Sequence, residues 1–378
     1  MSSVKLRGKL NLISPKLSVF GYYKVTENFD IPDVLFENKI FLNRDDSNRS
    51  KERTFFLTKP TIIENEYDQF VLDDDFNYLS EGDIVHISNG RIQVAYRKNS
   101  NSTFVLTTEQ CDNFCIMCSQ PPKVVDDTYL IEQLMDFIPL LPAHLHELGI
   151  SGGEPTLAGD NFVRLLERAK AYLPNTAIHV LSNGKNLDHS LLEKISRTHH
   201  KDLMFGIPLY SHDFSTHDYI VQSEGAFQKT LAGIINLKQY RQKVEIRVVI
   251  QKHNYDHLNN IANFLVRNLQ FVDQVVFMGL EMTGFARGNA SDVWIEPHIY
   301  QDELTKAIRT LSNGKVKTQI YNHQLCILDR SLWGYNVASI SDWKNTFIDK
   351  CNSCSVKAIC GGFFTTSNTK IPDRIISL

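Results

Sequence analysis

Seven cysteines carry the most chemistry in this 378-residue chain. Three lie on one short segment, C-D-N-F-C-I-M-C, as Cys111, Cys115 and Cys118. Four follow far downstream as Cys326, Cys351, Cys354 and Cys360, the last three spaced C-x2-C-x5-C. Thiolates are soft ligands that select iron-sulfur clusters or zinc. Three on one loop can reach three corners of an iron-sulfur cube and leave one iron open for a small molecule, the condition catalysis needs. Four thiolates saturate a tetrahedral zinc or a whole 4Fe-4S cluster, and such a site is closed. From the residues alone, the first group could equally be a zinc site completed by a distant ligand, or a redox pair at Cys115-x-x-Cys118. An odd total cannot be a closed set of disulfides. Met1 to Leu12 has no signal-peptide pattern, and no window approaches the roughly 18 apolar residues of a membrane span. The expected location is therefore the cytoplasm, where thiols serve metals or catalysis.

Other candidates sit where loops would meet these cysteines. Gly152-Gly153-Glu154-Pro155 pairs two glycines, which allow close approach to a ligand, with a carboxylate suited to an ammonium. Ser182-Asn183-Gly184 is a turn by composition that offers a hydroxyl and an amide. Arg247 falls inside an apolar run, where a buried guanidinium needs a carboxylate partner. Ser211-His212 and Glu281 also point toward the same mouth.

Those placements follow from the elements. The first hundred residues alternate short apolar runs (Leu17 to Val25, Val34 to Leu42, Ile84 to Ile87, Arg91 to Tyr96) with turn clusters at 43–47 and 88–90, a pattern of antiparallel strands. Asn89-Gly90 is the expected hairpin turn. The stretch from Glu64 to Asp83 holds eight acidic residues and no basic one, and reads as a solvated acidic face. From Ser102 the pattern becomes strands at 103–108, 145–150, 177–182, 203–210, 244–250 and 272–279. Helices are expected between them near 127–140, 160–173, 187–197, 225–240 and 254–268. Six such repeats imply an α/β fold, a partial (β/α)6 TIM-like barrel with its chemistry at the C-terminal strand ends. The expected organisation is a β-rich N-terminal domain (1–101), a core barrel (102–290) and a cysteine-rich C-terminal region (291–378) with a helix near 296–313 and a strand from Val316 to Tyr321.

The C-x3-C-x2-C loop after the first barrel strand, with Gly152-Gly153-Glu154 after the second, resembles the radical SAM superfamily. The resemblance implies that Cys111, Cys115 and Cys118 hold a 4Fe-4S cluster whose fourth iron binds S-adenosylmethionine. Reductive cleavage of that cofactor would give a 5'-deoxyadenosyl radical, which takes a hydrogen atom from the substrate. It further implies cofactor contacts by Met117, Gly152, Gly153, Glu154, Pro155, Ser182, Asn183 and Arg247. The chain departs from the usual pattern by Ser182 in place of threonine and by Met117 in place of an aromatic residue that packs on the cofactor; Met117 can still make a soft apolar contact there, with Phe114 as a second candidate for it. The C-terminal spacing resembles the auxiliary-cluster tail of the SPASM or twitch type, implying that Cys326, Cys351, Cys354 and Cys360 hold a second 4Fe-4S cluster, with zinc as the alternative.

The stretch from Leu106 to Lys123, with Glu81-Gly-Asp-Ile-Val and Gly279 to Arg287, looks like the C-type radical SAM maturase of the His-Xaa-Ser peptide system. That resemblance implies a ribosomally made precursor peptide as substrate, a second radical SAM partner protein and an external electron donor. Forty basic residues against 43 acidic ones, a net charge of -3, remove the electrostatic case for nonspecific nucleic-acid binding and leave only a local basic groove open, so nucleic acid is not the expected partner. A membrane partner is not expected either. The competing readings are a radical SAM enzyme acting on a small molecule, nucleotide or RNA base, and a non-catalytic metal-stabilised scaffold. No catalytic side chain is assigned from the sequence.

Overall fold

The computed structural model describes residues 6–12, 20–28, 32, 38–43, 54–56, 69–72, 74–88, 90–338, 346–364 and 370–378. The expected turn at 44–47, the turn residue Asn89 and most of the acidic stretch before Asp74 lie outside the described residues.

Two sheets organise the chain. The N-terminal one contains β1 (Arg7–Lys9), β2 (Asn11–Leu12), β3 (Gly21–Thr26), β4 (Lys39–Asn43), β5 (Thr54–Phe56), β6 (Gln69–Val71), β7 (Ile84–Ser88) and β8 (Arg91–Tyr96). Their order is β1-β8-β7-β3-β4-β5-β6-β2. All pairings are antiparallel except β3 with β4. β7 and β8 form the hairpin, with Gly90 at φ 70°, a left-handed conformation that glycine adopts without strain.

The second sheet runs β9 (Ser102–Leu106), β10 (Glu147–Ser151), β11 (Ala177–Leu181), β12 (Leu203–Pro208), β13 (Lys243–Val249), β14 (Gln274–Met278), β15 (Thr318–Tyr321) and β16 (Asn336–Val337). Neighbours in space are neighbours in sequence and every pairing is parallel. Right-handed crossovers curl such a sheet, and β9 and β16 remain unjoined as its edges, so the barrel is partial. The α/β half-barrel is thus the architecture, with β15 and β16 extending it past the six expected strands. The helices are α1 (Thr128–Phe137), α2 (Asp160–Tyr172), α3 (His189–Arg197), α4 (Phe214–Val221), α5 (Ala226–Gln239), α6 (Leu258–Asn268), α7 (Phe285–Gly288), α8 (Ala290–Val293) and α9 (Gln301–Asn313). None of the described helices is long and apolar enough to cross a membrane.

Alternation along β13 shows how the sheet is built. Val244, Ile246 and Val248 are fully buried under the helices, whereas Glu245, Arg247 and Val249 point to the concave side. On the outer layer α2 buries Phe162, Val163, Leu165, Leu166 and Ala169 on one stripe. Asp188 caps α3 by accepting from Leu191 N at 2.8 Å, and Asp213 caps α4 by accepting from Thr216 N at 2.8 Å. The two sheets meet across β9: Thr103 Oγ1 donates to the Ala95 carbonyl at 2.8 Å, and Tyr22 packs on Phe137 with ring centroids 4.7 Å apart.

Candidate active site

Cys111, Cys115 and Cys118 lie on the loop that leaves the C-terminal end of β9. They are half-buried and line a single cavity of about 1910 Å³ on the concave side of the half-barrel. Burial pushes the Cys111 thiol up to about 11, with the charges of Glu154, Asp112 and Cys118 adding to it against a bond from Asn113 N. Cys115 is raised further by burial and by its two cysteine neighbours, and Cys118 is raised by burial. Three thiolates in one desolvated place repel one another, so a bound cation is what would hold them deprotonated. Among the described residues no three His, Cys, Asp or Glu side chains are already drawn together as a metal site.

The loop that presents these thiols is held from three sides. Asp127, almost fully buried, accepts from Thr108 Oγ1 at 2.9 Å, from Glu109 N and from Gln110 Nε2 at 3.2 Å. Gly153 N donates to the Thr108 carbonyl and Glu154 N to the Gln110 carbonyl, each at 2.8 Å. Asp112 accepts from Asn183 Nδ2 at 2.6 Å and Asn186 Nδ2 at 3.2 Å, and pairs with Lys185 Nζ at 3.1 Å. Burial alone would raise the Asp112 carboxyl, but the Asn183 bond and the Lys185 ammonium hold it below its usual range.

This geometry revises the reading of the glycine pair. A Cβ on Gly153 would collide with the Gln110 carbonyl and stand 2.9 Å from Cys111 Cβ. One on Gly152 would stand 2.9 Å from the Thr108 carbonyl. The close approach these glycines permit is to the cysteine loop itself, while their exposed side lines the cavity. Glu154 is completely buried and bridges two strand ends. Its Oε1 accepts from Thr156 N at 3.0 Å, Thr156 Oγ1 at 2.6 Å and Ser182 Oγ at 2.8 Å, and its Oε2 from Asn183 N at 2.5 Å. Burial raises its carboxyl pKa, against the pull of those four donors. Pro155 is buried behind it at the start of a short helical turn.

Ser182, Asn183, Met117 and Arg247 all reach the cavity wall. Met117 Sδ accepts from Gln251 Nε2 at 3.7 Å, and the Arg247 Nε lies 3.3 Å from Glu245 Oε1. Phe114 is 48% exposed and does not line the cavity, so it is not a partner to Met117 there. Ser211 and His212 also stay off the wall: Ser211 Oγ accepts from Asp213 N at 3.1 Å, and His212 packs edge-on against His257. Tyr210 takes that place, its pKa raised by burial and by the neighbouring cysteines. Glu281 does line the cavity. Sequence reasoning missed Tyr210, Asp112 and Asp127; a carboxylate directly following a cysteine was the one signal available, for Asp112.

The second cysteine set is assembled across the C-terminal region. Cys326, Cys351, Cys354 and Cys360 line one small cavity together with Phe363, Ile375 and Ile376. Cys326 and Cys351 are raised by burial and by neighbouring cysteines. Leu325 N donates to Cys360 Sγ at 3.5 Å, which ties the distant Cys326 segment to the C-x2-C-x5-C run.

Residues 105–265, which carry the cysteine loop and strands β10 to β13 of the curled parallel sheet, match the family model of the Radical SAM superfamily. The superfamily implies a 4Fe-4S cluster and S-adenosylmethionine. Among curated proteins nothing matches. Among solved structures, SuiB of Streptococcus suis bound to S-adenosylmethionine is similar at 14% identity and TM-score 0.46, over 58% of this chain and 50% of that one. The enzyme anSMEcpe with bound AdoMet is similar at 17% identity and TM-score 0.45, over 57% and 63%. Methylornithine synthase (PylB) follows at 14% identity and TM-score 0.42, over 58% and 64%. The matched region spans about half the length of SuiB.

The residues present fit the implied group. Three thiols with no fourth thiol beside them open into the same cavity as glycine backbone and a guanidinium.

Proposed function

We propose that this chain is a radical SAM enzyme that modifies a ribosomally made peptide of the His-Xaa-Ser type. The observation that carries the proposal is the cavity: the three cysteines share it with Gly152, Gly153, Ser182, Asn183 and Arg247, and it runs on to Arg7, Lys9 and Arg91 at the rim of the N-terminal sheet. Pockets for a drug-sized ligand hold roughly 300–1,000 Å³. This one is larger and open toward a sheet edge, which suits a length of peptide. The reading follows a division into a β-rich part (1–101), a radical SAM core (102–290) and a C-terminal region (291–378).

Cys111, Cys115 and Cys118 would hold the cluster. Bound there, the cluster and S-adenosylmethionine supply one-electron reductive cleavage and a hydrogen-abstracting radical. The chain's own part is positioning. Glu154, fully buried behind the wall and held by four donors, ties the glycine turn to Ser182 and Asn183, while the Arg247 guanidinium reaches the cavity, where it can donate to a carboxylate. Met117, Gly152, Gly153, Ser182 and Asn183 shape the wall around it, and Pro155 fixes the turn behind Glu154. Cys326, Cys351, Cys354 and Cys360 would close a second 4Fe-4S centre without an open coordination position. A second radical SAM protein and an external electron donor complete the proposed system.

Anaerobic reconstitution with iron and sulfide, a reductant and S-adenosylmethionine tests this. The expected product is 5'-deoxyadenosine, lost in Cys115→Ala; no cleavage, or a variant equal to wild type, overturns the reading. Metal analysis of Cys360→Ala distinguishes iron from zinc at the second centre.

A further inference from the structure

The cavity does not end at the cysteines. Below them the inward-facing residues of the half-barrel become polar: Glu147 on β10, His179 on β11, Glu245 and Arg247 on β13, and Gln274 on β14 all line it. At about 3.3 Å per strand residue, Glu245 lies roughly 13 Å below Val249, where β13 ends.

Glu245 is 1% exposed. Its Oε2 accepts from Gln274 Nε2, but its Oε1 has no hydrogen-bond partner. Arg247 Nε at 3.3 Å and His179 Nε2 at 3.5 Å come to ion-pair distance of that oxygen without aligning to donate, and neither nitrogen has another partner. A second carboxylate, Glu147, reaches to 3.8 Å from His179 Nδ1. Opposite stands Gly206 on β12: a Cβ there would lie 2.9 Å from His179 Nε2 and 3.0 Å from Arg247 Cδ. His179 and Arg247 therefore come together beside the orphaned oxygen because β12 has no side chain at that point. A carboxylate oxygen withdrawn from water and left without a donor is costly, and native structures keep such groups for a reason. With the His179 imidazole neutral, two carboxylates against one guanidinium leave a surplus negative charge, which repels an anionic guest and attracts a cationic one.

We infer that the floor of this lumen is a recognition site for a positively charged nitrogen group of the substrate, an ammonium, guanidinium or imidazolium, with Glu245 Oε1 as its acceptor. The inference rests on the proposal that substrate enters this cavity, and it adds the chemical class of the group that reaches the floor.

Ethylguanidinium chloride, titrated into the anaerobically reconstituted full chain and followed by ligand-observed NMR, tests it, with propionate and n-propanol as controls. Ethylguanidinium should bind and the controls should not. Glu245→Gln, which keeps shape and removes charge, should weaken binding roughly ten- to hundredfold. Iron content and melting temperature equal to wild type would show that this variant is folded. Should it fail to fold, Gly206→Ala, whose Cβ would displace His179 and Arg247 beside Glu245, is expected to abolish binding instead. No binding to wild type, equal binding by a folded Glu245→Gln, or equal binding of propionate overturns the inference, as does a probe-soaked crystal structure with only water at Glu245. Binding is read without turnover, so absence of 5'-deoxyadenosine would sink the enzyme proposal and leave this result standing.

Discussion

Replacing Glu154 by glutamine probes the bridge that joins the β10 and β11 ends beside the cysteine loop. All four groups recorded on Glu154 can donate, three to Oε1 and one to Oε2. A glutamine has one carbonyl and one NH2. Its better orientation keeps the carbonyl under Thr156 N, Thr156 Oγ1 and Ser182 Oγ, which sets its NH2 against the Asn183 N–H. One charge-assisted bond is lost, about 1.5–3 kcal/mol, and a buried donor is orphaned, so the local cost is on the order of 2–4 kcal/mol. At about 1.4 kcal/mol per decade, hydrogen exchange at the Asn183 amide should speed up by roughly thirty- to several-hundredfold, with a smaller change at Thr156 N. The sign with pH follows from the raised pKa of Glu154: once protonated it resembles the amide, so the gap between variant and wild type should shrink as pH falls below that pKa. Mass-spectrometric exchange on residues 180–186 at two pH values reads both effects. Unchanged exchange at Asn183, or a gap that widens on acidification, would refute the bonding argument.

Three further outcomes are expected. Gly153→Ala drives a Cβ into the Gln110 carbonyl and should cut iron incorporation, whereas Gly159→Ala, with open space around it and φ 52°, should cost about 1–2 kcal/mol and keep the iron; equal iron in both would contradict the steric argument. Asp127→Asn removes the charge that gathers Thr108, Glu109 and Gln110, and iron retained per chain should fall although no ligand is altered. His217 and His323, each lowered to about 4 by burial, bind protons more readily in the unfolded chain, so stability is present above pH 6.5 and lost as pH falls from 6.5 to about 4. The loss is about 1.4 kcal/mol per pH unit for each. Urea unfolding of the metal-free chain at pH 7 and pH 5 should show it, and a flat profile would rule it out.

The cysteine loop, the glycine pair and the β-α alternation were legible because each is local. A C-x3-C-x2-C run reports its own reach, and the apolar period of β13 or α2 reports which face is buried. The strand expected from Val316 to Tyr321 is present as β15, but its joining the parallel sheet was not legible, because packing beside β14 decides that pairing; β16, at two residues, carries too few positions for a pattern.

Sequence by itself determined that three thiols would share one loop and four another region, since spacing along the backbone is covalent. Only the tertiary structure decided what surrounds them. Asp127 sits 16 residues after Cys111 in the chain and still holds the loop before it, and Asn183 reaches Asp112 from 71 residues away. The polar floor under Arg247 comes from four separate strands, each contributing a residue that alone would read as an exposed charge or amide. Their meeting depends on strand register and on the missing side chain at Gly206, over which His179 and Arg247 pack, and neither is written in the spacing of any one segment.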